Sequence, residues 1–201
     1  MIYLVRHGQT DWNIENRIQG QLDMPLNETG RNEARVCAKQ LSSFKIDQII
    51  ASDLSRTKET ASIINESLSL PISFDSRLRE VDCGDLQGVI AKEIPEDTWY
   101  TFNHEPNKLH AESLLDVYNR VKSFFNDLDP TKNTLIVTHA GAVRMAWYLA
   151  HNPNSYNQED FEKTALQFKI KNTEVFSWDK AQNFQFLTGK TSSTNQKIRE
   201  F

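Results

Sequence analysis

"TLIVTHAGAVRMAWYLA", residues 134–150, passes from an apolar, β-branched run into apolar residues at helical spacing, with only His139, Ala140 and Gly141 between them. Thr134 to Thr138 is the length of a strand, and Ala142 to Ala150 has the period of a helix that the His-Ala-Gly turn opens. A strand with no polar face must be covered on both sides, which is the habit of parallel sheets. Similar short runs recur at Ile2 to Val5, Asp47 to Ala51, Ile72 to Phe74 and Glu174 to Trp178. Between them Glu28 to Phe44, Leu54 to Leu70 and Ala111 to Leu128 carry helical spacing. The alternation predicts an α/β fold of three layers, α/β/α, around a mostly parallel sheet. Phe184 to Leu187 is a candidate for a late, antiparallel edge strand.

One stretch breaks this rhythm. Val89 to Lys108 mixes Pro95, Pro106, Trp99, Tyr100 and Phe102 with several acids and shows no clean period, so a lid or insertion is expected over roughly residues 87–113. The polar tail, about residues 189–201, is expected to be loosely held. Length alone suits one domain over residues 1–201.

Composition narrows the class. Hydrophobic residues make up 38% and charged residues 25%, an ordinary globular balance. A net charge of -4 and a pI near 5.8 give no footprint for nucleic acid or an anionic membrane surface. Met1 leads into a four-residue apolar run that Arg6 and His7 end, too short for a signal segment or a membrane span, and Cys37 and Cys83 suit reduced thiols. A cytoplasmic location is expected.

In a wound α/β sheet, ligands bind beyond the carboxyl ends of the strands. Arg6 and His7 follow the first strand, Arg56 follows the second after the turn "SDLS", Glu80 follows the third, and His139 ends the fourth. If the first and fourth strands are neighbours, about 4.8 Å apart, His7 and His139 face each other across one pocket. Paired guanidinium forks at strand ends select phosphoryl oxygens. Helix N-termini such as "HAG" add backbone donors, and Gly8 is expected to let the backbone approach an anion. A neutral imidazole can attack phosphorus and hold the phosphoryl group covalently, while Glu80 supplies a proton to the leaving oxygen.

Four segments, "LVRHGQTDWN", "SDLSRTKET", "RLREVDCGDLQG" and "VTHAGAVR", together resemble the signatures of the histidine phosphatase superfamily, the phosphoglycerate mutase-like proteins, in that family's order. The resemblance implies a phosphoglycerate mutase-like parallel sheet with one antiparallel edge strand. It implies His7 as the phosphorylated nucleophile, Arg6, Arg56 and His139 as the phosphate pocket, and Glu80 as proton donor. Asn13 matches a phosphoryl contact, Gln19 and Gly20 fall in a loop beside the substrate, and the backbone of Ala140 and Gly141 is a further contact. The implied partner is a small-molecule phosphomonoester, with no metal and no other cofactor.

Phosphatase and mutase differ in what the insertion must do. Val89 to Asn119 contains no arginine, and Lys92 and Lys108 stand against Glu93, Glu96, Asp97, Glu105, Glu112 and Asp116. The family's mutases carry paired arginines there, and so acidic a lid is expected to repel a bisphosphorylated intermediate. Trp99, Tyr100 and Phe102 instead offer stacking surface to an organic body. The expected activity is therefore a phosphatase working through a phosphohistidine at His7. The alternatives are a phosphoglycerate mutase-type isomerase, a phosphatase of α-ribazole or sugar phosphates, and a non-catalytic phosphate-binding module.

Rival motifs carry less. "DLDPT", Asp127 to Thr131, matches an aspartate-nucleophile string that needs a strand before it, yet Val117, Val121, Phe124 and Leu128 run into it at helical spacing. "GKT", Gly189 to Thr191, lacks the first glycine of a nucleotide loop, since Phe184 stands there. No arginine lies six residues after either cysteine. Taken singly, Arg56 reads as an i,i+3 partner of Glu59 and Glu80 as a loop ion pair with Arg79. His104, His110 and His151 read as surface residues, and Trp147, Tyr148 and Leu149 as packing.

Overall fold

Both faces of the central strands are apolar, and each face meets its own layer of helices. The computed structural model describes residues 1–179 and 184–187. In chain order the elements are β1 (Ile2–Arg6), α1 (Asp11–Ile14), α2 (Glu28–Leu41), β2 (Gln48–Ala51), α3 (Ser55–Asn65) and β3 (Ile72–Phe74). There follow α4 (Glu96–His104), α5 (Leu114–Asp127), β4 (Thr134–Thr138), α6 (Ala140–His151), α7 (Gln158–Lys163), β5 (Val175–Trp178) and β6 (Phe184–Phe186).

The sheet order is β3-β2-β4-β1-β5-β6. β1 pairs in parallel with β4, from Ile2 opposite Thr134 to Arg6 opposite Thr138. β2 is parallel to β4 and to β3. β5 runs antiparallel to β1, and β6 antiparallel to β5. The single reversed strand is thus β5, and it lies one place in from the edge because β6 pairs outside it.

The period-2 alternation of the strands divides the core. Tyr3, Val5, Leu135, Val137 and Val175 pack with Cys37 and Leu41 of α2 and Ala61 and Ile64 of α3. Ile2, Leu4, Ile136 and Phe176 pack on the opposite face with Phe124 of α5 and Val143 and Ala146 of α6. Adjacent β1 and β4 therefore send their following helices to opposite faces, which opens a crevice at their carboxyl ends.

Local chemistry starts the helices. The Asn27 side chain accepts from Gly30 N–H to cap α2, and Ser113 does the same from Asp116 N–H for α5. α5 begins there, at Leu114, and α3 ends at Asn65, so both are shorter than their spacing suggests. The irregular stretch after Val89 holds the nine-residue α4 and two short 3-10 turns. α4 buries none of its residues, so no apolar period announces it. Pro95 and Pro106 stand at helix starts, where a missing N–H costs nothing. α1 and α7 are also unannounced: one is a single turn closed by a Thr10/Asn13 capping box, and the other buries only Phe161.

The helix α5 runs to Asp127, so "DLDPT" is a helix end and turn. Tyr148 and Leu149 are buried. The "GKT" string and the tail from about residue 189 lie outside the described residues. Among the described residues, no helix is long and apolar enough to cross a membrane.

Candidate active site

At the carboxyl end of β1 the parallel ladder continues one step, with His7 N–H donating to Thr138 O at 2.9 Å. That bond sets His7 beside His139, the residue that follows β4. Their ring centroids are 5.2 Å apart with planes inclined at 59°. Both imidazoles are buried, at 3% and 0% exposure, so solvent cannot share in deciding which nitrogen carries the proton.

The partners decide it instead. His7 Nδ1 lies 2.7 Å from Gly8 O, and a carbonyl only accepts, so Nδ1 holds the hydrogen and Nε2 keeps its lone pair. Arg56 Nε–H donates to His139 Nδ1 at 3.3 Å, so His139 carries its hydrogen on Nε2 and donates to Ser52 Oγ at 2.9 Å. Burial first, then the Arg6 and Arg56 charges, hold the His7 imidazole well below its ordinary pKa. For His139 burial again leads, followed by Arg56. Both rings are neutral at pH 7.

Arg56 is 1% exposed, and burial lowers its pKa to about 10. Besides Nε–H, it donates through Nη1 to Leu22 O at 2.8 Å and through Nη2 to Gly20 O at 2.7 Å. A guanidinium has five N–H groups, so two remain, one on each Nη, as a fork. Arg6 Nη1 donates to Ile170 O at 2.6 Å, while its buried Nε has no hydrogen-bond partner among the described residues. An orphaned buried donor of that kind fits an anion's oxygen.

Glu80 reaches the same place from the loop after β3. Its Oε1 accepts from Val81 N–H at 3.0 Å and from Gly141 N–H at 3.0 Å, the amino end of α6. The side chains expected to occupy Arg56 and Glu80 are busy elsewhere: Glu59 pairs with Arg31, and Arg79 with Asp53.

These groups open into a cavity of about 280 Å³. Arg6, His7, Asn13, Gln19, Gly20, Arg56, Glu80 and Gly141 all line it. The Asn13 side-chain oxygen accepts from Thr10 N–H at 3.0 Å, and Gln19 has a buried Oε1 without a partner among the described residues. Two sequence expectations change. Ala140 stays out of the cavity wall, and the Gly141 N–H is taken by Glu80. Gly8 N–H donates to Thr60 Oγ1, and the backbone of Gly30 lies where any side chain on it would go, so a close backbone approach within the protein already requires glycine here.

The lid also differs from its reading. Of its three aromatics only Phe102 lines the cavity, beside Asn103; Tyr100 is 61% exposed. None of the six lid acids lines it. Glu112, for example, binds Arg120 Nε at 2.6 Å. The acidity of the lid is therefore no barrier inside the pocket. Leu114, Val117, Met145, Phe161 and Leu166 give the rest of the wall an apolar stretch, with Arg17 and Arg144 also at the wall.

A family model described as the histidine phosphatase superfamily (branch 1) matches residues 2–177. The chain belongs to the histidine phosphatase superfamily. The uncharacterized phosphatase PhoE of Bacillus subtilis is 40% identical over 142 residues, covering 71% of this chain and 72% of the relative. A probable phosphoglycerate mutase GpmB of Salmonella paratyphi A is 52% identical over 151 residues, covering 71% and 70%. A mycobacterial glucosyl-3-phosphoglycerate phosphatase structure, at 24% identity, shares the fold with a TM-score of 0.77 over 95% of this chain and 99% of that one.

The site also draws on residues that the sequence did not single out. Asn172 Nδ2 donates to His7 O at 2.8 Å, and Thr173 N–H donates to Arg6 O at 3.0 Å, so the segment before β5 clamps the Arg6–His7 turn. Arg120 donates to the carbonyls of Arg77, Arg79 and Glu80, fixing the Glu80 loop. Arg144, one helical turn after Gly141, lines the cavity too. Ser52 and Arg144 lay inside quoted segments, and for Ser52 its place beside the strand end was the available signal. Among the described residues, no three or more His, Cys, Asp or Glu side chains form a group able to hold a metal.

Proposed function

We propose that this protein is a phosphatase that hydrolyses a phosphomonoester through a phosphohistidine at His7, without a metal. The observation that carries the reading is the neutral His7 ring, whose Nε2 lone pair is left available by the Nδ1 bond to Gly8 O. Arg6 and the Arg56 fork receive the phosphoryl oxygens, with Asn13 and Gln19 at the rim. Nε2 attacks phosphorus, the P–O bond to the alcohol breaks, and the departing oxygen takes a proton from Glu80. Water then attacks the phosphohistidine, Glu80 takes a proton from it, and the P–N bond breaks to release orthophosphate. The arginines supply the positive charge that a metal supplies in other phosphatases.

Hydrolysis is favoured over a mutase reaction by the outer wall. There the lid contributes Phe102 and Asn103 and no cation, which suits an organic body on the leaving group more than a second phosphate. The GpmB name of a relative supports the second reading, a phosphoglycerate mutase.

The test is turnover of 4-nitrophenyl phosphate in excess chelator by the parent protein and by His7→Ala. The parent is expected to show a burst of 4-nitrophenolate equal to the enzyme, then steady turnover; His7→Ala is expected to show neither. Undiminished activity in His7→Ala overturns the nucleophile assignment. Interconversion of phosphoglycerates faster than their hydrolysis overturns the phosphatase in favour of the mutase.

A further inference from the structure

Nine arginines lie among the described residues, and six of them, Arg17, Arg31, Arg35, Arg77, Arg79 and Arg120, form ion pairs with carboxylates. The three without such a pair, Arg6, Arg56 and Arg144, all line one cavity. A guanidinium partly withdrawn from water with no carboxylate bonded to it is costly, and here the three share the charge of Glu80 alone among the groups that line the cavity, so a ligand anion has cations left to meet. Arg6 and Arg56 are explained by the phosphoryl group. Arg144 is not.

Its place on α6 and its anchoring distinguish it from them. Arg144 lies on α6 one turn beyond Gly141, the residue whose N–H holds the Glu80 carboxylate. Its Nε and Nη2 both donate to Phe168 O, at 3.0 and 2.8 Å, which anchors the head and leaves Nη1 without a protein partner. Burial lowers its pKa, and Glu80 is the charge that counters this. The Arg144 charge bears on Arg6, and Glu80 bears on both arginines, so the three groups share one end of the cavity. Arg144 thus stands on the Glu80 side of the cavity, where the leaving group departs, and next to the apolar wall of Met145, Leu114 and Val117.

Resting on the phosphatase reading above, we infer that Arg144 is a specificity residue which receives a carboxylate carried by the leaving group, so that the preferred substrate is a phosphomonoester with an apolar body and one carboxylate. The phosphate fills the Arg6–Arg56 fork, the body lies along the apolar wall, and Nη1 of Arg144 meets the acid. A single fixed cation suits one carboxylate, whereas Glu80 beside it opposes a second phosphate dianion.

Equilibrium binding of phosphonates tests this without depending on turnover. Benzylphosphonate and its 3- and 4-carboxy derivatives are titrated calorimetrically into the parent, Arg144→Gln and Arg144→Lys, with thermal melts to show that each variant is folded. Gln can still donate to Phe168 O, and Lys keeps the charge without the fork. At least one carboxylated isomer is expected to bind the parent about tenfold more tightly than benzylphosphonate. That ratio is expected to fall to near one in Arg144→Gln and to survive in part in Arg144→Lys. A ratio near one in the parent overturns the inference, as does equal weakening of all three ligands in Arg144→Gln, which assigns Arg144 to the phosphoryl group. A purely structural role for Arg144 leaves the ratio unchanged in both variants and likewise overturns it. If the binding preference is present but 4-nitrophenyl phosphate is not hydrolysed, the carboxylate site stands and the phosphatase reading fails.

Discussion

The floor of the cavity takes Arg6 and His7 from the end of one strand and Arg56 and Glu80 from the turns that follow two others, with His139 buried against His7 and Arg56, whereas the outer wall takes Phe102, Leu114, Phe161 and Leu166 from four separate places after residue 100. Floor residues are tied by hydrogen bonds to backbone or to one another; these four wall residues meet the cavity through apolar surface alone. Position in the floor is thus fixed to fractions of an ångström by sheet register, while the wall is fixed only by packing. Substitutions should separate the two by what they change: rate and phosphoryl binding for the floor, leaving-group preference for the wall.

The largest effect is expected from Arg56→Met. Removing a buried, hydrogen-bonded charge costs about 3 to 4 kcal/mol of transition-state binding, a few hundred- to a thousandfold in kcat/KM for 4-nitrophenyl phosphate. A loss below tenfold breaks the claim that the floor does the chemistry. Gly141→Ala comes next. A Cβ there meets Glu80 Oε1 in close contact, so the carboxylate must move. The expected result is a fall in kcat of about 10- to 100-fold with KM changed little, since general acid–base catalysis contributes about that much.

The two buried histidines make the floor sensitive to acid. Their pKa values are held below the ordinary value near 6.5, so between that value and the lowered one the unfolded chain binds protons that the folded chain does not. Stability therefore falls as pH drops below about 6.5, and the melting temperature should decline by several degrees between about pH 7 and 5.5. His139→Gln should flatten the decline. A parent whose melting temperature rises over that range contradicts the buried, neutral assignment.

Wall substitutions are expected to do less. Phe102→Ala should raise KM for aryl phosphates about five- to tenfold by removing apolar contact, and should leave kcat within about twofold. Tyr100→Ala, on the solvent side of the same helix, should change either constant by less than about twofold. Equal effects at the two positions would show that α4 acts as a unit and that the distinction between its faces is wrong.

The same contrast explains what could be read in advance. The strands announce themselves because both faces are buried, and the residues just past their ends inherit fixed positions, so Arg6, His7, Arg56, Glu80 and His139 were legible together. Phe102 was legible as an aromatic in a lid, but which of Trp99, Tyr100 and Phe102 turns inward depends on a helix that buries nothing and so leaves no pattern. Arg120 and Asn172 act by donating to carbonyls far away in sequence, and a carbonyl has no signature. Arg144 sat in plain view within "VTHAGAVR", yet its meaning depended on a negative fact, the lack of a carboxylate partner, that only the packed chain reveals. The acids of the lid misled for a related reason: charge was counted along the segment, while what matters is which side chains enter the cavity.

Arg56 shows what such packing achieves before any ligand arrives. Its bonds to His139, Gly20 O and Leu22 O take away the rotational freedom of a long side chain, worth roughly 2 kcal/mol. That ordering is completed when the chain folds, so an incoming phosphoryl group meets a fork already frozen in place. Association at this site is accordingly spared an entropic penalty that a surface arginine imposes on every ligand it binds.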